Sequence, residues 1–424
     1  MPDAGGARRA AEAVCILVHA HPDFSKGGGE TAAYREFLTL RAAGRQAVIV
    51  AAADLAGFDA PVVAHAPGEH LYSIAGMTED RLSWADIANR RALVGFLAEL
   101  PVQVFHVHHL WRVGLDLMAE LMEARPDARF VATLHEMLPI CAHHGQMIRT
   151  RGRELCRAAA PTQCAACFPE RPAAHFVLRR AAFLGVLRRF DAVIYPSAFV
   201  QQRFRDWGLR PAMDLVLENY LGDALAQFPR RRTADPALAG SFAFFGQPTP
   251  FKGLDVLVRG FAMALAGSSW LSLSVFGCER EDVVRMFPEV VPALDQAGTA
   301  INFFGRYDQA EVLDLMQTVG WVVVPSIWWE NSPVVIQEAK RAGTPLVVSD
   351  IGGMAEKVRP GVDGLHFKRG SAHHLARVLE EAAGAETFER LVRSLGDSVA
   401  CETFLAGLDA CFGAACPVKE PWGD

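Results

Sequence analysis

Two carboxylates late in the chain stand on either side of a predicted helix start. Glu330 and Glu338 have seven residues between them, within the stretch WVVVPSIWWENSPVVIQEAKRAGTPLVVSD at positions 321–350. The free N–H groups at a helix N-terminus bind phosphate oxygens, whereas a carboxylate repels phosphate and accepts hydrogen bonds from hydroxyl groups. This arrangement suits a ligand with hydroxyl groups at both ends and phosphates between them, and a sugar nucleotide is such a ligand.

A strand, a helix and a second strand would position these carboxylates. Residues 321–325 form a short apolar, β-branched run bounded by Pro and Ser, which is typical of a strand buried on both faces. The Ser332 hydroxyl can cap a helix whose first residue is Pro333, and Gly343 follows its end at about residue 342. Residues 344–349 supply the next strand. We expect Ser332, Pro333 and Val334 to contact the ligand.

The same stretch resembles the retaining glycosyltransferases of family 4. The resemblance is carried by the pattern PS…ENSP…EA…G.P and by the spacing of Glu330 and Glu338; the alternative is a loop charge and an unrelated helix charge. It extends over about the whole chain. It implies an α/β protein with the GT-B fold, in which two Rossmann-like, doubly wound parallel-sheet domains face each other across a cleft.

A glycine-rich turn follows the first predicted strand, at residues 14–20. The turn HPDFSKGGGE contains Gly28 and Gly29, which let the backbone turn sharply and approach a ligand closely. Many α/β proteins use such a turn only to reverse the chain. The GGxE pattern resembles the family's turn, which implies that Gly28 and Gly29 contact the donor phosphate and the acceptor.

Histidines cluster at the ends of two further predicted strands. VQVFHVHH ends with His106, His108 and His109, and RFVATLHEM ends with His135 and Glu136. Open α/β sheets bind ligands at the carboxyl ends of their strands. His106 and His108 share one strand face and His109 points the other way, which argues against a metal site. The TLHE segment resembles the family's TLHD, with Glu136 in place of Asp, which implies that His135 lines the acceptor side; His109 is a second candidate.

Four cysteines lie within 27 positions, and the last two form a CxxC pair: Cys141, Cys156, Cys164 and Cys167. Four thiolates satisfy the tetrahedral preference of a structural zinc ion. Four unligated thiols are an equal alternative, and an iron–sulfur cluster is less in keeping with a role that implies no redox chemistry. Some family-4 members are similar here. Zinc would brace an insertion at about residues 141–170, at the mouth of the acceptor site.

A basic helix is predicted at residues 173–190, with four arginines: Arg179, Arg180, Arg188 and Arg189. Such a helix, which also bears aromatic residues, can lie on an anionic membrane. It can equally pack on the domain with its arginines in solvent. Both interpretations stay open from the sequence.

Lys252 follows the first predicted strand of the second half of the chain, at residues 241–246, and precedes a helix. Its ammonium group can therefore stand beside the phosphates at the Pro333 helix, and the alternative is a plain surface lysine. The family has an Arg just after the strand's Gly and a Lys-Gly shortly after. Lys252 matches, but Gln247 occupies the Arg position, which weakens stabilisation of the leaving group unless Arg306 contributes charge. Gly352 and Gly353 resemble the family's Gly-Gly turn, whose amides face sugar or phosphate.

Alternating strands and helices indicate parallel sheets with helices on both faces. We predict an acceptor-side domain at 1–222 with the cysteine-rich insertion, and a nucleotide-sugar-binding domain at 223–395. Residues 222–240 contain the aperiodic linker PRRRTADPALAG. By resemblance, a C-terminal helix within 396–424 crosses back to the first domain.

Composition excludes several classes. The net charge of −6 argues against a nucleic-acid binder, and no apolar run is long enough for a transmembrane helix. The run VCILVHA behind basic residues is of strand length, so we interpret it as a core strand and not as a signal peptide. We expect a cytoplasmic protein, peripheral to the inner face of a membrane if the basic helix binds lipid, with nine cysteines as thiols or metal ligands.

The resemblance implies a retaining, metal-independent hexosyltransferase of polysaccharide biosynthesis or a related process. A UDP-, GDP- or other nucleotide sugar is the donor, and a hydroxyl of a glycan, lipid-linked or small molecule is the acceptor. Lys252 would stabilise the diphosphate, Glu330 would orient the sugar, Glu338 would grip the ribose, and His135 would shape the acceptor side. The alternatives are a GT-B epimerase or phosphorylase, and a non-catalytic nucleotide-sugar-binding protein, which Gln247 favours.

Overall fold

The computed structural model describes residues 12–25, 27–54, 60–152, 154–222, 225 and 227–413. The basic N-terminal residues, parts of the predicted linker and the residues after 413 lie outside these ranges. Two sheets are present. The strands of the first are β1 (Val14–Val18), β2 (Ala47–Ala53), β3 (Val62–Ala66), β4 (Glu69–Ser73), β5 (Val104–Val107), β6 (Arg129–Thr133), β7 (Ala192–Tyr195) and β8 (Asp214–Val216). Those of the second are β9 (Ser241–Phe245), β10 (Ser272–Phe276), β11 (Ile301–Phe303), β12 (Trp321–Val324), β13 (Leu346–Ser349) and β14 (Gly364–Phe367).

The first sheet has the order β3-β4-β2-β1-β5-β6-β7-β8. Its neighbouring strands pair in parallel except for β3 and β4, which form an antiparallel hairpin that the sequence patterns did not predict. β2 pairs with one edge of β1, and β5 pairs with the other edge of β1. The gap between β1 and β5 is therefore the topological switch point, where open α/β sheets bind ligands.

The second sheet is parallel throughout and has the order β11-β10-β9-β12-β13-β14. This is the doubly wound order in which three strands extend to one side and three to the other, with the switch point between β9 and β12. The turns after β9 and β12 carry Lys252 and Glu330. Two doubly wound α/β sheets are present, as predicted.

Helices cover both faces of each sheet, which explains why the central strands are apolar along their whole length. They are Gly28–Ala42, Ile87–Glu99, Leu115–Ala124, Pro161–Cys167, Ala173–Leu187, Ala198–Trp207, Leu254–Gly267, Arg280–Met286, Val291–Ala297, Val312–Gln317, Val334–Ala342, Gly352–Lys357, Ala372–Ala382, Ala385–Ser394 and Cys401–Phe412. Within the described ranges, none of them combines the length and the apolar character that crossing a bilayer requires.

The last described helix, Cys401–Phe412, packs on the first sheet, where Phe404 and Leu408 join the core around β1. The chain leaves the helix Ala385–Ser394 and starts this last helix at residue 401, within the range 396–424 predicted for a C-terminal helix. The amide of Gly396 donates to Oδ1 of Asp363 at 2.8 Å, which holds the break against the second sheet. The predicted domain boundary at residues 222 and 223 falls between β8 and β9 and stays a prediction.

Candidate functional site

The carboxyl ends of the two sheets face each other across a cleft of about 460 Å³. His19 and His135 line it from the first sheet, and Gly246, Lys252 and Glu330 line it from the second. His19 follows β1, and the three residues of the second sheet follow β9 and β12, which are strands that flank a switch point; His135 follows β6, the neighbour of β5. The topology thus brings together chain segments that are more than two hundred residues apart.

Lys252 and Glu330 form a close ion pair in this cleft. The Nζ atom of Lys252 lies 2.7 Å from Oε1 of Glu330, and the same oxygen accepts hydrogen bonds from Ser326 Oγ at 2.7 Å and Trp328 Nε1 at 2.9 Å. Burial alone would raise the pKa of Glu330, but the ammonium group and these hydrogen bonds hold it below its ordinary value. Glu330 is therefore a fixed, ionised acceptor.

Gly253 locks the Lys252 turn to the end of β12. Its φ is +70°, and a Cβ atom there would lie 2.0 Å from the carbonyl oxygen of Pro325. The amide of Ile327 also donates to the carbonyl of Phe251 at 2.8 Å. Only glycine satisfies both the backbone conformation and the close approach, so the turn after β9 and the loop after β12 behave as one unit.

The helix Val334–Ala342 points its amino end at the same cleft, since Val334 and Val335 line it. The predicted cap is wrong: Pro333 occupies the cap position, and the Ser332 hydroxyl donates to Glu218 Oε1 at 3.1 Å instead of capping the helix. Glu218 follows β8, so Ser332 connects the two halves of the molecule. Both Ser332 and Pro333 line the cleft, and their contact with a ligand stays a prediction.

Glu338 lies in an adjoining cleft of about 690 Å³ that shares Gly28 and Val334 with the first. Its Oε1 atom accepts a hydrogen bond from Gln309 Nε2 at 2.6 Å and lies 3.8 Å from Arg35 Nη2. Burial raises the pKa of the Glu338 carboxyl. Arg35 was not among the predicted site residues, although it lies two helical turns beyond Gly28 and therefore on the same helix face.

Gly28 and Gly29 open the helix Gly28–Ala42 and line the cleft. A Cβ atom on Gly29 would lie 3.2 Å from the imidazole of His19, so glycine allows the helix to approach this ring. Glu30 lies 3.3 Å from His19 Nε2 and accepts a hydrogen bond from Ser25 Oγ. Burial alone would raise the pKa of Glu30, but its contacts with His19 and Ser25 lower it to about 2.

His135 and His109 both line the first cleft. The Nε2 atom of His135 lies 2.9 Å from Nδ1 of His108, and its carbonyl accepts a hydrogen bond from the Asn331 side chain of the second half. His109 Nε2 lies 3.2 Å from Oε1 of Glu136. Burial raises the pKa of Glu136 to about 8. The imidazoles thus form the wall opposite Lys252 and Glu330.

Four predicted contributors lie elsewhere. Gln247 and Arg306 are exposed and line neither cleft, so Arg306 does not replace the missing arginine. Gly352 and Gly353 also line neither cleft, and the Gly353 amide donates to the carbonyl of Glu330 at 2.7 Å. This amide braces the Glu330 loop and is not free for a phosphate, which corrects the sequence-based expectation.

The four cysteines of the insertion line one cavity of about 30 Å³. Cys141, Cys156, Cys164 and Cys167 are free thiols there, and no three of their sulfur atoms lie within 4.8 Å of one another. A tetrahedral zinc–thiolate site places its sulfurs about 3.8 Å apart, so a zinc ion would have to draw them inward. The Nε1 atom of Trp329 donates to the Cys156 carbonyl at 3.0 Å, which joins the insertion to the Glu330 loop.

The arginines of the helix Ala173–Leu187 and of the turn after it all donate to backbone carbonyls, although Arg180 and Arg188 are exposed. Arg179 donates to the carbonyls of Pro139 and Leu138, each at 2.7 Å, and Arg180 donates to the carbonyl of Trp207 at 2.6 Å. These hydrogen bonds to backbone carbonyls anchor the guanidinium groups of Arg179 and Arg180 within the molecule, and the membrane interpretation stays a prediction. Arg188 and Arg189 likewise reach the carbonyls of Gly208 and Ala119.

The paired doubly wound sheets with a cleft at both switch points define the GT-B fold class. Sucrose-phosphate synthase from Thermosynechococcus elongatus shares it, with a TM-score of 0.65 and 17% identity over 94% of this chain and 95% of that one. HepE from Anabaena, solved with UDP and glucose, has a TM-score of 0.60 and 16% identity over the same shares. At these identities the likeness concerns the fold.

Sequence comparison narrows the class to a family. Residues 26–216 match the sequence model of Glycosyltransferase Family 4, and residues 242–390 match that of Glycosyl transferases group 1. The chain belongs to the family-4, or group 1, glycosyltransferases, which confirms the resemblance stated above.

Two curated relatives are similar to parts of the chain. D-inositol 3-phosphate glycosyltransferase from Corynebacterium aurimucosum is 28% identical over 40% of this chain and 41% of its own length. Phosphatidyl-myo-inositol mannosyltransferase from Mycobacterium leprae is 27% identical over 51% and 55%, respectively. The chain thus spans about half the length of the curated relatives it matches.

Proposed function

We propose that this protein transfers a hexose from a nucleotide diphosphate sugar to a hydroxyl acceptor, with retention of the anomeric configuration and without a catalytic metal. The observation that carries the proposal is the Lys252–Glu330 pair, with a 2.7 Å contact, beside the amino end of the helix Val334–Ala342 in a cleft shared by both sheets. A cation, a helix N-terminus and an ionised acceptor are the groups that a diphosphate and a sugar require.

The diphosphate would lie against the amides of Val334 and Val335, with Lys252 Nζ exchanging its Glu330 partner for a phosphate oxygen. Negative charge grows on the diphosphate as the sugar leaves. A preorganised ammonium group and oriented amides stabilise that charge in the transition state. These groups supply positive charge from the protein itself, which is why we propose metal-independent transfer.

The nucleoside end would enter the adjoining cleft. Glu338 accepts hydrogen bonds, which suits ribose hydroxyl groups, and Gln309 already satisfies one of its oxygens at 2.6 Å. Arg35, 3.8 Å from the same carboxylate, adds a positive charge from the first sheet. It would partly compensate for the absence of the family's arginine at Gln247.

Glu330 would orient the transferred sugar and not attack it. One of its oxygens already accepts three hydrogen bonds, and such a carboxylate is a poor nucleophile. Retention would then follow from attack on the face from which the phosphate departs. His135, on the opposite wall, would contact the acceptor or the sugar.

The relatives and neighbours support a hexosyl donor and a polyhydroxylated acceptor. HepE was solved with UDP and glucose, and the names of the two bacterial relatives refer to inositol phosphate and to mannosyl transfer. By extension, we propose a UDP- or GDP-hexose donor and a glycan, lipid-linked or inositol-type acceptor. A cytoplasmic location agrees with the eight described cysteines, which are all free thiols.

We also propose that the cysteine-rich insertion binds structural zinc. The four thiols face one small cavity, and Trp329 ties the Cys156 backbone to the Glu330 loop. Zinc there would stiffen one wall of the cleft and take no part in bond making or breaking.

Donor hydrolysis tests the proposed function. Purified protein is incubated with UDP-, GDP-, ADP- and TDP-sugars, and thermal stabilisation and release of free sugar are measured with and without EDTA. We expect one donor to raise the melting temperature and to be hydrolysed slowly and EDTA-independently, with the α-anomer released first from an α-linked donor. Sugar release that requires inorganic phosphate would indicate a phosphorylase. Donor conversion without sugar release would indicate an epimerase.

Binding without any turnover would indicate a non-catalytic binding protein. That alternative rested on Gln247, which is exposed and lines neither cleft.

A further inference from the structure

A row of buried polar side chains, most of them ionisable, extends from the cleft into the first sheet. It begins at His135, continues through His108 to Glu36, and ends at His106 and Thr133. Glu36, His106 and His108 are each no more than 2% exposed. None of them lines either cleft, so the contacts of the proposed transfer reaction do not account for this buried arrangement of charge.

Glu36 sets the proton positions in this row. Its Oε1 atom lies 2.6 Å from His106 Nδ1, and an ionised carboxylate only accepts, so His106 donates from Nδ1. His106 Nε2 then accepts from the Thr133 hydroxyl at 2.7 Å. The second oxygen, Oε2, lies 3.3 Å from His108 Nε2, which has no hydrogen-bond partner among the described residues. A nitrogen lone pair facing a carboxylate oxygen would be repelled, so His108 carries its proton on Nε2.

The remaining assignment follows from the 2.9 Å contact between His108 Nδ1 and His135 Nε2. Because neutral His108 has its proton on Nε2, its Nδ1 atom accepts. His135 therefore donates from Nε2 and keeps its lone pair on Nδ1. Burial, reinforced by the neighbouring histidines, lowers the pKa of His108 and His135, which keeps both rings neutral.

We propose that Glu36 and His108 are positioning residues that hold His135 in the tautomer with its lone pair on Nδ1, so that His135 accepts a hydrogen bond from a substrate hydroxyl during transfer. This inference rests on the proposed function. It adds a specific requirement to it: the histidine at the cleft wall accepts a hydrogen bond and does not donate one. His106 lies 2.6 Å from Glu36 and 2.7 Å from Thr133, and both are hydrogen-bond distances. Glu36 and His106 therefore pair directly, without a cation between them.

Glu36→Gln is expected to reverse the direction of the hydrogen bonds between these side chains. The carboxamide can donate a hydrogen bond to His108 Nε2, so the His108 proton moves to Nδ1. His108 Nδ1 then donates to His135 Nε2, and His135 carries its own proton on Nδ1. We expect kcat for sugar transfer to fall roughly 10- to 100-fold, with little change in KM for the donor. Glu36→Asp keeps an acceptor-only group and is expected to restore part of kcat. Glu69→Gln is the matched control, since Glu69 also pairs with a buried histidine, His21, at 3.1 Å on the same sheet and lines neither cleft.

The tautomer itself is measured by ¹⁵N NMR of histidine side chains, with the His135 signals assigned by their loss in His135→Gln. We expect a protonated Nε2 and an unprotonated Nδ1 for His135 in the wild-type protein, and the reverse in Glu36→Gln. The ionisable side chains that face His135 are His19, His106, His108, His109 and Glu36, so spectra are recorded at several pH values.

Three results would overturn the inference. The first is a proton on Nδ1 of His135 in the wild-type spectrum, a readout that does not depend on activity or on the folding of a variant. The second is a Glu36→Gln variant with wild-type kcat, and the third is a stoichiometric divalent metal in wild-type protein that Glu36→Gln lacks. If instead no sugar donor binds or turns over, the proposed function fails, while the NMR result still decides the tautomer.

Discussion

The Nζ atom of Lys252 and the Oε1 atom of Glu330 are 2.7 Å apart, although the two residues follow different strands of the second sheet. Each charge thus has a partner before any ligand binds. Under the proposed function, a diphosphate that enters the cleft would compete with Glu330 for the ammonium group, while Ser326 and Trp328 keep the carboxylate in place. The pair would then couple binding of the phosphates to orientation of the sugar.

Lys252→Ala is expected to lower kcat for donor hydrolysis and transfer by roughly 100-fold, because the charge that develops on the leaving diphosphate loses its nearest cation. Lys252→Arg should retain part of this activity. Steady-state kinetics measure both effects, with the exposed Lys368→Ala as the control. Unchanged turnover in Lys252→Ala would remove Lys252 from the site.

Glu338→Gln is expected to weaken binding of the nucleotide roughly tenfold, since loss of one charge-assisted hydrogen bond costs about 1.4 kcal/mol. Burial raises the pKa of Glu338, so we also expect wild-type affinity to decline as pH falls and the carboxyl becomes protonated. Calorimetric titration with UDP and GDP between pH 5 and 8 measures both effects. A pH-independent affinity in the wild-type protein would contradict this role, and Glu338→Gln should show a flatter profile.

Glu30→Gln is expected to make the free energy of unfolding depend less strongly on pH in the acid range. The folded-state pKa of Glu30 is about 2, below the ordinary value of 4.5, so its ionised form contributes stability above pH 4.5 that is lost as pH falls towards 2. Urea unfolding at pH 7 and at pH 3 measures the difference. The wild-type protein should lose more stability than the variant over this interval, and the exposed Glu99→Gln should behave like wild type.

The cysteine pair Cys164 and Cys167 offers a direct test of zinc binding. We expect about one zinc per chain by elemental analysis of protein purified without chelator, and its loss in Cys164→Ser/Cys167→Ser. Cys401→Ser, outside the insertion, should keep the metal. Protein that is free of zinc after purification and does not take it up would refute the structural site.

Trp329→Phe tests the link between the insertion and the Glu330 loop. The change removes the 3.0 Å hydrogen bond to Cys156 but leaves an aromatic ring near Phe199, whose ring centroid lies 5.3 Å from that of Trp329. Loss of one such bond costs about 1 kcal/mol, so we expect donor affinity to fall by less than tenfold. Trp328→Phe is the contrasting variant, since Trp328 donates to Glu330 directly at 2.9 Å.

Local sequence patterns predicted the parts of the site that lie on strand–turn–helix units. The apolar run before Ser326 predicted β12. Gly343 ends the following helix with a φ of +83°, a left-handed conformation that glycine readily adopts. Lys252 and Glu330 were placed correctly at strand ends because open α/β sheets collect ligand-binding residues there. The prediction of the GT-B fold is confirmed by the two sheets and by the solved neighbours.

Contacts between distant segments were not predictable from those patterns. Ser332 looked like a helix cap, but Glu218 from the other half offers its hydroxyl a charged acceptor. Gly353 looked like a ligand-binding amide, but the Glu330 carbonyl occupies it. The carbonyl partners of the arginines around residue 180 were equally unpredictable, because backbone acceptors leave no trace in side-chain patterns.

The glycine at position 253 has a consequence for protein engineering. With a Cβ atom only 2.0 Å from the Pro325 oxygen, any substitution would push the two loops apart and separate Lys252 from Glu330. In a chimera between homologues, the two loops would therefore have to be exchanged together, as a single cassette. A chimera that swaps one loop alone would inherit neither parent's geometry.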